Sequence, residues 1–162
     1  MRGPSVLTRY WRAEEATAAA LRDGWLHTGD IGSLDEDGAL RYHGRDKDMI
    51  KVKGMSVFPT EVETLLARHP DVLAAAVVAV DDRECGQRPH AYVRIVPGSA
   101  LTAAALYAWA AETMATYRVP GIELVEAFPM TATGKIRKTD LAERARAGLL
   151  PPGTASRTRP AP

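Results

Sequence analysis

The chain has 162 residues, of which 46% are hydrophobic and 25% charged, a composition typical of a soluble globular protein. Its formal net charge of +1 excludes a chain built to follow nucleic acid along its length. No apolar run approaches the roughly 20 residues that span a bilayer, and the single cysteine, Cys85, cannot form an internal disulfide. We therefore expect a cytoplasmic protein with no membrane span and no nucleic-acid partner.

The first third of the chain predicts a helix followed by a hairpin. An alanine- and glutamate-rich stretch around residues 16–21 favours a short helix, and Gly24 is expected to end it. The turn sequence Asp35-Glu36-Asp37-Gly38 lies between two apolar segments and predicts a β-hairpin. The run from Met49 to Lys53 then alternates, which predicts a half-buried strand with Lys51 and Lys53 on its exposed face.

The remaining two thirds predict helices and strands in no strict alternation. A helix is expected after Pro59, with Thr60 and Glu63 as a capping box. Apolar patterning predicts strands over 73–80, 91–95 and 122–125, and Thr102 is expected to cap a second helix. Thr139 or Asp140 is expected to cap a last helix that ends near Gly148, and the proline-rich residues 149–162 are expected to be disordered. The predicted fold class is α+β: a small mixed or antiparallel sheet covered by about three helices.

Three polar segments carry the candidate chemistry, at residues 24–30, 44–54 and 129–136. In the last, Gly134 lets the backbone approach a ligand closely, and Lys135 is a charge on a long stem suited to phosphate or carboxylate. The segment is not a Walker A loop, since Ile136 stands where Ser or Thr is needed. In the first two, the Asp30 carboxylate can accept from vicinal ribose hydroxyls, and Arg45 offers a fork of donors to phosphate or ribose oxygens.

Taken singly, each of these residues also has a simpler explanation. Lys135 can be an ordinary exposed turn lysine, and Asp30 can cap a turn. Arg45 can form a salt bridge with Asp46 or Asp48, and the lysines of the predicted strand can be a solvated face. The order and number of the segments therefore carry the functional argument.

In that order, the segments resemble the carboxyl-terminal part of adenylate-forming enzymes, the family of acyl-CoA synthetases, firefly luciferase and peptide-synthetase adenylation domains. Residues 24–30 match the family's Trp-x-x-Thr-Gly-Asp motif. Residues 44–54 with Pro59-x-Glu61-Val62-Glu63 match its hinge motif, and Tyr117-x-Val119-Pro120 and Thr133-Gly134-Lys135 match its last two. The resemblance spans about residues 2–147. It implies an acid–CoA ligase that uses ATP, Mg²⁺ and CoA to convert a small-molecule carboxylic acid, through acyl-AMP, into a thioester.

The resemblance also implies a role for individual residues. Asp30 holds the ribose hydroxyls of ATP, and Arg45 also contacts the nucleotide. Lys47 is the hinge about which the small domain swings. A CoA-facing strand follows, formed by Lys51, Lys53, Gly54 and Met55. Lys135 is the mobile catalytic lysine that reaches the reacting carboxylate and the α-phosphate.

Two motifs of the family's large domain are absent from the sequence. These are the Ser/Thr/Gly-rich phosphate loop and the Tyr-Gly-x-Thr-Glu motif, whose glutamate helps to hold Mg²⁺; no metal ligand is assigned in this chain. We interpret residues 1–45 as the last segment of the large N-terminal domain, 46–148 as the mobile C-terminal domain and 149–162 as a disordered tail. The chain is accordingly expected to be a fragment that needs its missing large domain and is inactive alone.

Other readings of the same resemblance stay open. The chain can be a stand-alone docking module that acts in trans on a separate large domain or a carrier protein. It can belong to an adenylation domain that loads a carrier protein, or be a decayed remnant without function. The residues Ile50-Lys51-x-x-Gly54 and Thr131-x-Thr133-Gly134-Lys135-Ile136 look more like fatty-acid and aryl-acid CoA ligases than peptide-synthetase domains.

Overall fold

The computed structural model describes residues 1–147, so the tail predicted for residues 149–162 lies outside the described residues. The chain divides into two units, Met1–Lys47 and a second that begins at Asp48. No helix within the described part of the chain is long and apolar enough to cross a membrane.

The first unit contains one helix and two short antiparallel hairpins. Its elements are α1 (Glu14–Ala20), β1 (Leu21–Arg22), β2 (Trp25–Leu26), β3 (Asp30–Leu34) and β4 (Leu40–Arg45). The hairpin predicted around Asp35–Gly38 is confirmed as the β3–β4 pair. The prediction that Gly24 ends the helix is wrong. Asp23 and Gly24 form the two-residue turn between β1 and β2, with φ values of +52° and +75°, as the type I′ hairpin turn requires at its two central positions.

The second unit contains a five-stranded sheet and three α-helices. Its elements are β5 (Ile50–Val52), β6 (Met55–Val57), α2 (Pro59–Leu66), β7 (Val72–Asp82), β8 (Gly86–Ile95), α3 (Ala103–Thr113), β9 (Gly121–Leu124) and α4 (Lys138–Arg146). The strand order is β6-β5-β8-β7, antiparallel throughout, and β9 pairs in parallel with β8. The predicted α+β class, with a small mixed sheet and three covering helices, is confirmed.

Both faces of the central strands are buried, which explains why the β7 sequence is continuously apolar. One face holds Val77 and Val93 and packs with α2 and α3 through residues such as Leu66 and Leu106. The opposite face holds Val78 and Tyr92 and packs against α4. This second cluster includes Leu141, Phe128 and Ile136, so the segment that carries the last sequence motif is fixed to that face.

The helix cap predicted for α3 is confirmed, and the one predicted for α2 is wrong. Thr102 caps α3 as predicted, since its Oγ1 accepts a hydrogen bond from Ala105 N at 3.1 Å. The capping box predicted for α2 is wrong. Pro59 is the first helical residue and Phe58 is the N-cap, without a side-chain cap bond. Pro59 fits this position because its missing N–H would have had no helical partner there.

A partly buried polar cluster lies between β8, β9 and α4. His90 packs edge-on against Tyr92 with ring centroids 5.0 Å apart, and the Glu123 carboxylate is engaged by Arg144. The distance from His90 Nε2 to Glu123 Oε2 is 3.7 Å, too long for a hydrogen bond. Burial, together with the positive charge of Arg144, lowers the pKa of His90 from 6.5 to about 4. His90 is therefore neutral in the folded protein at neutral pH.

We expect the stability of the fold to decrease as the pH is lowered from about 6.5 to about 4. In that range the unfolded chain binds a proton at His90 and the folded chain does not, so acid favours unfolding. The loss attributable to His90 is at most about 3 to 4 kcal/mol, at about 1.4 kcal/mol per pKa unit. Urea unfolding of the native chain and of His90→Gln over this range measures it. An identical pH dependence in both proteins would contradict the assignment.

Candidate functional site

Asp30 and Arg45 lie opposite each other in the first unit. They are register partners at the open end of the β3–β4 hairpin, and Arg45 Nε is 3.4 Å from Asp30 Oδ1. Thr28 Oγ1 accepts a hydrogen bond from the Asp30 backbone N–H at 3.1 Å, which fixes the start of the strand. The two side chains are 38% and 54% exposed, so both polar ends remain open to a ligand. Arg45, for which the sequence suggested an ion pair with Asp46 or Asp48, pairs instead with Asp30.

Lys47 lies in a single turn of 3₁₀-helix, Asp46–Asp48. It is the last residue of the first unit, and Asp48 begins the second. A short, locally hydrogen-bonded connection is a position where a few backbone dihedral changes can reorient one unit against another.

The predicted CoA-facing residues lie on the β5–β6 hairpin. Ile50 and Val52 are buried as expected, while Lys51 is exposed and its Nζ donates to Ser56 Oγ at 3.0 Å. The placement of Lys53 on the same strand face is wrong. Lys53 and Gly54 form the two-residue turn, with φ values of +50° and +82°. The hairpin register requires this, because Val52 pairs directly with Met55 and leaves two residues to reverse the chain.

A second turn, which the sequence analysis did not single out, supports this hairpin. Asp82 Oδ1 accepts hydrogen bonds from Glu84 N at 2.9 Å and from Cys85 N and Sγ at 3.0 Å. Arg88 Nε lies 2.6 Å from Asp82 Oδ2. Cys85 O in turn accepts from Lys53 N at 2.9 Å. The hydrogen bond from the Cys85 thiol, aided by backbone donors and Arg88, lowers the pKa of Asp82 to about 2. Burial raises the pKa of the Cys85 thiol, which makes it a poor nucleophile.

We expect Asp82→Asn to destabilise the protein at neutral pH and to matter progressively less in acid. The native carboxylate has a folded pKa of about 2 against an ordinary 3.8, so its stabilisation is complete above pH 3.8 and is lost as the pH falls through about 2. Thermal melts of both proteins at neutral pH and near pH 2 measure the difference. Melting points that differ equally at both pH values would rule out the carboxylate charge as the cause.

Lys135 lies at the end of a tight loop between β9 and α4. Thr131 organises this loop: its N–H donates to Lys135 O at 2.7 Å, and its Oγ1 accepts from Lys135 N at 3.0 Å. Gly134 has a φ of +76°, which only glycine adopts without strain, and Met130 and Ile136 pair across the loop as an isolated bridge. Lys135 is exposed, and no ion pair joins its ammonium group to any of residues 1–147. The backbone of the loop is thus fixed, while the ammonium group of Lys135 is exposed and carries a charge that no ion pair within residues 1–147 neutralises.

The structure therefore groups the candidate residues as follows. The candidate nucleotide-binding residues, Asp30 and Arg45, belong to the first unit; the Lys51–Met55 hairpin and the Lys135 loop belong to the second. Within the described residues, no three His, Cys, Asp or Glu side chains converge in a way that could hold a metal ion.

Comparison with known proteins identifies the second unit. A protein-family model described as the AMP-binding enzyme C-terminal domain matches residues 61–135. Residues 61–135 carry the AMP-binding enzyme C-terminal domain. The match of the AMP-binding C-terminal domain ends at Lys135, within the loop just described.

Relatives of known structure or activity extend the similarity to both units. The chain is 44% identical over 142 residues to the 2-succinylbenzoate–CoA ligase of Geobacillus kaustophilus, an alignment that covers 87% of the chain and 29% of that enzyme. A solved o-succinylbenzoate CoA synthetase from Bacillus subtilis, in complex with its acyl-adenylate intermediate, aligns with a TM-score of 0.80 at 34% identity. That alignment covers 86% of the chain and 29% of the synthetase. An amide bond synthetase from Marinactinospora thermotolerans aligns with a TM-score of 0.81 at 38% identity, over 88% of the chain and 29% of that protein. The chain thus spans less than a third of the length of these relatives.

Proposed function

We propose that this chain is the carboxyl-terminal part of an ATP-dependent acid–CoA ligase, and that it supplies the mobile lysine and the CoA-facing hairpin. The observation that carries the proposal is the geometry of the Lys135 loop: Thr131 fixes its backbone, while the exposed ammonium group has no ion-pair partner among residues 1–147. The similarity to CoA ligases over both units supports the same conclusion.

In the first step a carboxylate attacks the α-phosphorus of ATP, and both reactants carry negative charge. The ammonium group of Lys135 offsets this repulsion and stabilises the charge that develops as pyrophosphate leaves. Asp30 and Arg45 position the nucleotide: the carboxylate accepts from the ribose hydroxyls, and the guanidinium donates to ribose or phosphate oxygens. Their salt bridge holds each side chain ready for these contacts.

Magnesium, when bound, neutralises further phosphate charge. Residues 1–147 offer no cluster of three metal-ligating side chains, so we place its ligands in the large domain and assign none here.

In the second step a thiol attacks the carbonyl carbon of the acyl-adenylate, and AMP leaves. Lys135 would then occupy space that the thiol needs. We propose that rotation at Lys47 removes the Lys135 loop and brings in the hairpin of Lys51, Lys53, Gly54 and Met55. The turn at Gly54 is open to a narrow pantetheine arm, because a Cβ built there would meet no atom within 4 Å apart from those of its chain neighbours. One cavity can serve both steps in this way.

A reconstituted ligase tests the proposal. In it, the large domain of the Geobacillus 2-succinylbenzoate–CoA ligase is fused ahead of this chain, so that the chain replaces the matching 29% of that enzyme. With 2-succinylbenzoate, ATP, Mg²⁺ and CoA, the fusion is expected to release pyrophosphate and form the CoA thioester, and the chain alone is expected to do neither. A folded fusion that forms no adenylate would contradict the proposal. Thioester on a phosphopantetheinylated carrier protein, with none on free CoA, would favour the carrier-loading alternative.

A further inference from the structure

Glu63 connects three elements of the second unit through one carboxylate. It lies on α2, and its Oε1 accepts from Val77 N of β7 at 2.7 Å and from Lys138 Nζ, at the start of α4, at 2.5 Å. Its side chain is 19% exposed and that of Lys138 is 35% exposed, so the pair is only partly screened by solvent. The glutamate that the sequence suggested as a helix cap is thus committed to a contact 75 residues away along the chain.

The position of Lys138 is unfavourable for the helix it begins. It is the first residue of α4, where the helix dipole disfavours a positive charge, and the N-cap residue, Arg137, makes no side-chain cap bond. The Glu63 carboxylate neutralises the Lys138 charge and fixes the beginning of the helix. The interaction therefore does more for the location of α4 than for its intrinsic stability.

The chain between Lys138 and Lys135 has little freedom. Ile136 packs into the apolar cluster with Val78 and Tyr92, and Arg137 N donates to Pro129 O at 2.8 Å. Residues 135–138 thus form one short anchored segment, and the Glu63–Lys138 contact is the anchor at its carboxyl-terminal end, so loss of that contact loosens the segment that carries Lys135. A shift of about 1 Å at a reacting group can cost on the order of 10²-fold in rate.

We propose that Glu63, through Lys138, is a positioning residue for Lys135 in the adenylation step. The proposal rests on the proposed function, since it assigns Glu63 to the step that Lys135 serves. Glu63 touches neither substrate nor the reacting atoms in this role. Its effect is confined to the step that needs the lysine, and the thioester step, which uses the hairpin of Gly54, does not depend on it.

The alternative is that the pair is a simple structural link, and the chain provides a matched control. Arg144, near the other end of α4, pairs with Glu123 of β9 and also ties the helix to the sheet. Its exposed fraction, 44%, is similar to that of Lys138, and the Glu123 side chain has the same 19% as Glu63. Arg144 lies nine residues from Lys135 in sequence, whereas Lys138 lies three.

The experiment measures each half-reaction in the reconstituted ligase for Glu63→Gln, Lys138→Met, Lys138→Arg and Glu123→Gln. Pyrophosphate release reports adenylation, and CoA thioester formed from supplied succinylbenzoyl-adenylate reports the second step. We expect Glu63→Gln and Lys138→Met to lower kcat for adenylation by about 10- to 100-fold, with the KM for ATP and the thioester step unchanged. Lys138→Arg keeps the ion pair with Glu63, and we expect it to adenylate at close to the native rate. We expect Glu123→Gln to change the melting point without changing the ratio of the adenylation rate to the thioester rate.

Equal effects of Glu63→Gln and Glu123→Gln on adenylation would overturn the inference, as would an unchanged adenylation rate in Lys138→Met. If Glu63→Gln does not fold, Lys138→Met and Lys138→Arg decide the question, since both leave the hydrogen bond to Val77 intact. Lys135→Ala separates the two proposals. Full adenylation in that variant contradicts the proposed function, whereas its loss, together with normal rates for the Glu63 and Lys138 variants, contradicts only the positioning role.

Discussion

Lys135→Ala in the reconstituted ligase is expected to lower the rate of acyl-adenylate formation by about 10²–10³-fold, by analogy with the removal of one charge-stabilising donor from an active site. Adenylation is the step expected to slow, because in that step a negatively charged carboxylate attacks the α-phosphorus of the negatively charged ATP. Thioester formation from supplied acyl-adenylate is expected to proceed normally, because in the proposed mechanism the lysine leaves the cavity before that step. Pyrophosphate release and thioester formation, measured separately, give the two rates.

Arg137→Ala is the control for the general positive charge of the loop. Arg137 is exposed, two residues from Lys135, and pairs with Asp140 at 3.5 Å. If a diffuse positive potential were sufficient, both substitutions would slow adenylation by similar factors. We expect Arg137→Ala to leave the rate nearly unchanged. A Lys135→Ala enzyme that adenylates at the native rate would remove the main support of the proposed function.

The strands of the sheet were predicted well because burial of both sheet faces produces a simple pattern of apolar residues in the sequence. The apolar run of β7 and the alternating residues of β8 each match a strand in the structure, and the Oγ1 of Thr102 caps α3 as local chemistry requires. Such signals depend on neighbours in sequence or on burial alone. Predictions from such local patterns hold in the folded protein because no polar group from a distant part of the chain competes for the same contacts.

The predicted capping box failed because distant partners compete for its glutamate. Glu63 could satisfy the α2 N-terminus, but Lys138 and the backbone of β7 offer it a charged and a neutral donor in a partly buried place. That outcome cannot be obtained from a window of ten residues. Lys53 failed for a local reason instead: it continues the strand alternation, but the register of Val52 with Met55 makes it a turn residue.

The Asp30–Arg45 pair shows the same limit in the candidate site. The hairpin was predicted, but the register was not, because an irregularity between Ile31 and Gly32 shifts the pairing by one residue. Only with that shift do the two residues face each other at the open end. The motifs thus named the candidate residues of the site, and the three-dimensional structure was needed to find their partners.

In the structure, the two candidate loops of the second unit, the Lys135 loop and the Gly54 turn, are held by separate sets of contacts. The Lys135 loop depends on Thr131 and on the anchor of Lys138 to Glu63. The Gly54 turn depends on Cys85 O and, through it, on the Asp82 carboxylate. Since the supports share no residue, substitutions at one loop should leave the other intact. This independence is what allows the two half-reactions to be tested separately.

Gly54→Val is expected to have the reverse effect of Lys135→Ala. A Cβ at this position enters open space, so the folded structure accepts it sterically, but a φ of +82° strains a β-branched residue by about 1–3 kcal/mol. The added side chain fills the path that we assign to the pantetheine arm. Thioester formation should fall by about 10²-fold, the cost of a reacting group displaced by about 1 Å, while pyrophosphate release from ATP and the acid continues.

Gly98→Val separates blocked access from backbone strain. Gly98 also has a φ of +82°, and no atom lies within 4 Å of the position that its Cβ would occupy, but it belongs to the turn between β8 and α3. Both substitutions introduce the same strain and should lower the melting point similarly. If strain alone slowed the second step, Gly98→Val would slow it as well. Loss of thioester formation in Gly54→Val only, with adenylation preserved in both, is the result that places CoA at this hairpin, and equal behaviour of the two variants would exclude it.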